Sequence, residues 1–325
     1  MKSERSRTIG AVFVTGIAAL CLFGLIGFTG CSGPSGPPKF EAPPVRVTCT
    51  TTIVADAVKR VGGERVQIET LMGAGVDPHK YISGSGDRKK LDNAHIVFYS
   101  GLHLEGKMAD LFEKNHDRWR AFAVTSAIDH AKLRKASVDG GDHDPHVWFD
   151  VPLWKSSVEV VRDSLVALDP AGADIYKANA TAYLKELDDL DKEIRAKLDT
   201  VPKDKRVLVT SHDAFEYFGR AYGFEVIGLE GVSTASELGT PRRNELANII
   251  GTRKIPAVFT ETSVPTVGLQ GVLDDVKSKY KHEVRLIGGD DALYSDALGE
   301  EGSSGATYPG MIRHNVNVIV EALTK

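Results

Sequence analysis

From Tyr176 to Leu198 apolar side chains recur at Tyr176, Ala180, Tyr183, Leu184, Leu187, Leu190, Ile194 and Leu198, the spacing of one helix face. Asp169-Pro170 marks the start of this segment and Pro202 its stop. At 1.5 Å per residue the helix is expected to span roughly 40 Å, more than the depth of one small domain. A rod of that length constrains everything around it. It is expected to run along two domains, the competing reading being a long surface helix of one lobe.

Short β-branched runs alternate with helical patterns on either side of the rod. Before it, strands are predicted at 45–50, 66–71, 95–99 and 121–125, with helices at 53–61, 87–93, 104–115 and 153–168. After it, strands are predicted at 206–210, 225–229, 257–261 and 284–287, with helices at 214–222, 243–253, 266–280 and 310–323. Such alternation implies α/β architecture with parallel sheets and helices on both faces. The predicted organisation is an N-terminal α/β lobe over 45–169, a bridging long helix over 170–202 and a C-terminal α/β lobe over 203–325. The segment from Asp129 to Asp144 is polar and aperiodic and reads as a loop.

The first residues follow a different pattern. Lys2, Arg5 and Arg7 precede an uncharged apolar run from Ile9 to Phe28, which reads as a signal peptide over 1–30, the alternative being an uncleaved anchor helix. The three cysteines are Cys21, Cys31 and Cys49. Only Cys49 falls in the folded part, so neither a disulfide framework nor a cysteine-based zinc site is expected. Residues 31–44 are rich in Ser, Gly and Pro and read as a flexible tether. The 44 acidic and 40 basic side chains nearly cancel and form no long basic run, which gives no electrostatic case for nucleic acid.

The chemistry-bearing residues cluster in short motifs. His79 lies in Asp77-Pro78-His79-Lys80-Tyr81, His146 in Asp144-Pro145-His146-Val147-Trp148, His212 in Ser211-His212-Asp213-Ala214-Phe215, and Asp296 in Tyr294-Ser295-Asp296. His79, His212 and Asp296 each follow the end of a predicted strand, where ligands bind in open α/β sheets. Three imidazoles and a carboxylate can close a shell around a divalent transition ion in a cleft between the lobes. His143, in the acidic turn Asp142-His143-Asp144, is a candidate for auxiliary metal capture, and His103 is placed to line the cleft. Glu230 and Glu261, near strand ends, are second-sphere or structural candidates, the alternative role being the base of a hydrolase.

Taken together and in this order, these motifs, with Gly101–Gly106 and Thr307–Met311, resemble the TroA/ZnuA/PsaA family of zinc- and manganese-binding receptors of bacterial ABC importers. The resemblance runs from about Val45 to the C-terminus. It implies His79, His146, His212 and Asp296 as the four metal ligands, one zinc or manganese ion as transported ligand, and two lobes bridged by a long helix. It also implies an ABC permease and its cytoplasmic ATPase as partners, and no catalysis. Phe28-Thr29-Gly30-Cys31 resembles the lipobox of bacterial lipoproteins, with Phe28 where Leu is usual. Cys31 is thus the expected lipid attachment site, and the protein an exported monomer anchored to the membrane and facing the periplasm or cell exterior. His212 stands where some manganese receptors carry Glu, which points to zinc; the lack of a long His-rich loop points the other way. The alternative functions are a zinc-dependent hydrolase, for which no His-Glu-x-x-His motif is present, and a lipoprotein adhesin.

Overall fold

The computed structural model describes residues 36–136, 142–235 and 239–325. The signal segment, Cys31 and the start of the tether lie outside the described residues, as does part of the loop before Asp144. Among the described residues no helix is long and apolar enough to cross a membrane.

Lobe 1 opens with β1 (Val45–Cys49), α1 (Thr52–Gly62) and β2 (Val66–Thr70), followed by α2 (Ser85–Asn93) and β3 (Ile96–Tyr99). Two short helices, α3 (Ala109–Lys114) and α4 (His116–Trp119), lead to β4 (Ala121–Ala123). All pairings are parallel and the strand order is β2-β1-β3-β4. Then come α5 (Val151–Leu168) and the rod, α6 (Ala173–Leu198). Lobe 2 holds β5 (Val207–His212), α7 (Glu216–Tyr222), β6 (Glu225–Glu230), α8 (Thr240–Arg253), β7 (Ala257–Phe259), α9 (Val267–Tyr280), β8 (Arg285–Ile287) and α10 (Tyr308–Thr324). Its sheet is again all parallel, in the order β6-β5-β7-β8. Both sheets therefore reverse direction at the same place, between their first and third strands.

Helix α6 earns its length from a continuous apolar stripe: Tyr176, Ala180, Tyr183, Leu187, Leu190, Ile194 and Leu198 are all buried. The stripe packs against α1, α5 and α10. Its first half is fixed to lobe 1. Tyr176 Oη donates to Asp169, which also takes two bonds from Arg65, and Asn179 donates to the Val61 carbonyl. Its second half is fixed to lobe 2, where Arg195 reaches the Ala221 carbonyl and Asp191 accepts from Tyr222. The helix therefore spans both lobes, as its length implied.

Two differences from the sequence reading have physical causes. The stretch 104–115 is not one helix: left-handed backbone at Gly101, Leu102, His103 and Gly106 folds it into a clasp before α3 begins. The Glu105 carboxylate holds that clasp, accepting from Ser100 N at 2.5 Å, Thr50 Oγ1 at 2.8 Å and Gly101 N at 3.3 Å. The loop before Asp144 contains a short 3-10 turn at His130–Lys132 and a bridge between Lys135 and His143.

One apolar cluster takes residues from both lobes and from α6, and Gly36–Lys325 forms one compact unit. Leu190→Ala in the fully buried stripe is expected to lower stability by about 2–5 kcal/mol. Urea unfolding should show that loss in a single transition; two transitions with only one displaced would mean the lobes fold independently.

Candidate metal centre

Two ligand candidates are set by the same local device. In Asp77-Pro78-His79 and Asp144-Pro145-His146 the aspartate Oδ1 accepts the histidine backbone N–H two residues on, at 2.9 and 3.0 Å. Proline between them restricts the turn, and the ring is aimed by the backbone rather than by packing alone. After His146 the apolar triplet Val147–Phe149 makes a buried 3-10 turn, and Asp150 caps α5 by accepting from Leu153 N. His212 is the last residue of β5, at the point where the lobe 2 sheet reverses direction. Asp296 lies on the segment between β8 and α10. That segment is moored to lobe 1, Leu298 N donating to Thr52 Oγ1 at 2.7 Å and Tyr308 N to Asp56 at 3.2 Å.

The four side chains converge. His146 Nε2 lies 3.3 Å from His79 Nε2 and 3.4 Å from His212 Nε2. Asp296 brings Oδ1 to 3.4 Å from His146 Nε2 and Oδ2 to 3.4 Å from His212 Nε2. A tetrahedral shell with ligands at about 2.0–2.1 Å has edges of about 3.3–3.4 Å, so these separations frame the volume of one transition ion. Calcium, which takes six to eight oxygens, does not fit an imidazole-rich set. His146, His212 and Asp296 are fully buried, and Asp296 Oδ1 has no hydrogen-bond partner. A buried carboxylate oxygen left unpaired is costly unless a cation meets it.

A second ring of carboxylates aims the imidazoles. Asp144 Oδ1 lies 2.8 Å from His146 Nδ1, and Glu261 Oε2 lies 2.5 Å from His212 Nδ1. Glu261 Oε1 also accepts the His212 backbone N–H at 2.8 Å. A carboxylate behind Nδ1 favours a proton there, which would free each Nε2 lone pair for a cation once the second proton leaves. Asp296 is flanked by Ser263 Oγ at 3.3 Å, itself bonded to Ser295 at 2.8 Å, and Trp148 Nε1 donates to the Ser295 carbonyl. The lobe 1 clasp supports His79 from behind: a Cβ on Gly106 would stand 2.7 Å from the His79 carbonyl oxygen, and φ there is +46°.

The remaining candidates lie elsewhere. His143 stacks edge-on against His130 at 5.5 Å, and the exposed His103 shares a surface hollow with Glu113, Asp142 and His143 rather than joining the four. His95 Nδ1 accepts from Arg46 N, and His282 and His314 bond to backbone carbonyls. Cys49 is a free buried thiol whose pKa is pushed up by burial. From the sequence Asp144 stands out only in the acidic turn around His143, and Glu261 only near a strand end. The signal for Asp144 was its place in a second Asp-Pro-His turn; for Glu261, far from His212 in sequence, only the fold supplies it.

Charge within the centre is unequal. Burial first, and then the neighbouring imidazoles, hold His79 down to about 3, so it is neutral at ordinary pH. Burial opposes charge on His146 as well, but Asp144 and Asp296 overcome it and raise the imidazole to about 9. His212 is likewise raised despite burial, by Glu261 and Asp296, and Asp296 is held well below the usual carboxylate range by His212 and His146. Without an ion, protons supply the positive charge that the carboxylates demand.

The chain matches the family described as zinc-uptake complex component A, periplasmic, over residues 47–322. It is 46% identical over 279 residues to the manganese-binding lipoprotein MntA of Bacillus subtilis, covering 86% of this chain and 90% of that protein. It is 45% identical over 279 residues to the zinc-binding protein TroA of Treponema pallidum, covering 86% and 89%. The solved structure of the periplasmic zinc-binding TroA from Treponema pallidum superposes with a TM-score of 0.82 at 44% identity, covering 87% of this chain and 99% of that one.

A cation held by His146 and His212 would compete with the protons that the neighbouring carboxylates favour there. Affinity should therefore climb as pH rises from 6 towards 9, the raised value of His146, by up to about tenfold per unit for each proton displaced. Calorimetry at pH 7 should give heats that vary with the ionisation enthalpy of the buffer; heats independent of buffer would contradict the protonated resting state. Asp144→Asn, which removes the charge behind His146, should weaken metal binding about 10–100-fold while leaving the fold intact by circular dichroism.

Proposed function

The chain belongs to the family of zinc-uptake complex component A, periplasmic, and from that membership we propose that His79, His146, His212 and Asp296 capture the metal it carries. The protein is an extracytoplasmic receptor that takes one divalent transition metal, zinc or manganese, and hands it to an ABC-type importer. Its working partners are the importer's permease and, through it, the ATPase. Two relatives of nearly equal identity are named for different metals, manganese in one and zinc in the other. The donor set accommodates both, binding zinc more strongly by the usual order of divalent ions.

The observation that carries the residue assignment is the convergence of four buried donor atoms, all within 4.8 Å of one another, from both lobes. Four protein ligands leave no open coordination position for a hydrolytic water, and the family consists of transport receptors, so the hydrolase reading finds no support. Nor does any observation favour an adhesin. Membrane attachment through a lipid on Cys31, a monomeric state, and auxiliary capture by His143 complete the reading. Relatives named as lipoproteins support the first of these, and the imidazole pair of His130 and His143 beside Asp142 supports the last.

Metal-stripped protein titrated with zinc, and separately with manganese, should bind one ion in a calorimeter. His146→Ala, which removes the donor nearest the other three, should abolish that binding, and Asp296→Ala should weaken it more than about 100-fold. Stoichiometric binding that persists in His146→Ala would place the ion elsewhere.

A further inference from the structure

Of the four converging side chains only His79 retains solvent exposure, 5% against none for the others. Among the four, the cluster therefore comes nearest to solvent at His79. The residues flanking His79 are also the ones that reach across the cleft. Asp77 divides its carboxylate between two partners: Oδ1 accepts the His79 backbone N–H at 2.9 Å, and Oδ2 accepts the hydroxyl of Thr234, in lobe 2, at 2.5 Å. Thr234 is buried, in the segment that follows β6. Lys80, just past His79, places Nζ 3.9 Å from Glu230 Oε2 and 3.8 Å from Asp77 Oδ2. Glu230 ends β6 directly opposite His212 in the β5–β6 register. Asp77 and Lys80 adjoin His79 in sequence and Glu230 faces His212 in register, while Thr234 is joined to them through Asp77; none of the four is among the converging donors.

We propose that Asp77 and Thr234 are positioning residues that form a clasp across the cleft, retaining the bound metal and setting the rate at which it leaves, with Lys80 and Glu230 in a supporting role. This rests on the metal-receptor reading. The hydroxyl-to-carboxylate bond is short and charge-assisted, which makes it the stronger part. The Lys80–Glu230 pair is longer and more exposed, and contributes less. Because the clasp joins one lobe to the other, it exists only while the two are together. It stabilises the held state without touching the ion, and such contacts act chiefly on dissociation. Asp77 gives it leverage, since the carboxylate that bonds Thr234 also fixes the backbone of His79.

The test is chelator-triggered release of zinc from the loaded full chain, followed by stopped flow, with capture measured separately. Thr234→Val, which keeps shape but removes the donor, should speed release about tenfold and alter capture by less than about threefold. Thr234→Ser, which restores a hydroxyl, should return release to within about twofold of the parent. Glu230→Gln should speed release by about two- to threefold. Thr234→Ala serves if the valine variant fails to fold, and the thermal midpoint of the metal-free protein should be similar in all variants. Release from Thr234→Val or Thr234→Ala within about twofold of the parent, or a change confined to capture, would overturn the clasp. If the parent chain binds no zinc, the receptor reading fails and not the clasp alone.

Discussion

Burial of negative charge is the constraint on which the rest of the structure depends. Asp144, Glu261 and Asp296 are all almost wholly buried and surround the same three imidazoles. Carboxylates taken out of water destabilise a fold by several kcal/mol each unless positive charge and hydrogen bonds answer them. Here the answer is partial. Asp144 and Glu261 place oxygens 2.8 and 2.5 Å from imidazole Nδ1 atoms, yet Asp144 Oδ2, Glu261 Oε2 and Asp296 Oδ1 all lack a well-formed hydrogen bond. Such a concentration of buried carboxylates around imidazoles is answered by positive charge, which protons or a small cation can supply.

The two lobes bring these charges together with one repeated plan. Each sheet reverses direction between its first and third strands, and at each reversal stands a buried glutamate. In lobe 2 it is Glu261, which holds His212 by side chain and backbone. In lobe 1 it is Glu105, which binds Thr50 and the backbone of Ser100 and so fixes the clasp behind His79. The same position therefore orients a ligand directly in one lobe and indirectly in the other. Trp148 and Tyr308 tie the His146 turn to the segment bearing Asp296, through bonds to the Ser295 and Trp148 carbonyls.

Much of this was legible in the sequence because the relevant signals are local. Alternating β-branched and helical runs located the eight strands of the described residues, and the stripe from Tyr176 to Leu198 located the rod. The paired Asp-Pro-His turns set two histidines through bonds between residues two apart, which is why short motifs could point to them. What escaped was non-local. Apolar spacing over 104–115 suits a helix, yet the Glu105 side chain reaches Thr50, 55 residues away, and holds the left-handed turn at Gly101–His103 as a clasp instead. Glu261 joins His212 only because β5 and β7 are neighbours in the sheet. Asp296 belongs to the C-terminal half by sequence, whereas its segment is moored on α1 of lobe 1.

That mooring orders events in time. Leu298 must find Thr52, and Tyr308 must find Asp56, across nearly the whole folded chain. Contacts so distant in sequence form late, after the intervening loops have been closed. Asp296 can take its place only when almost all of the polypeptide is present and the two lobes have been built. A nascent or partly translocated chain would hold its histidines without the carboxylate that completes them. The four-residue cluster is therefore assembled only when both ends of the folded chain are in place.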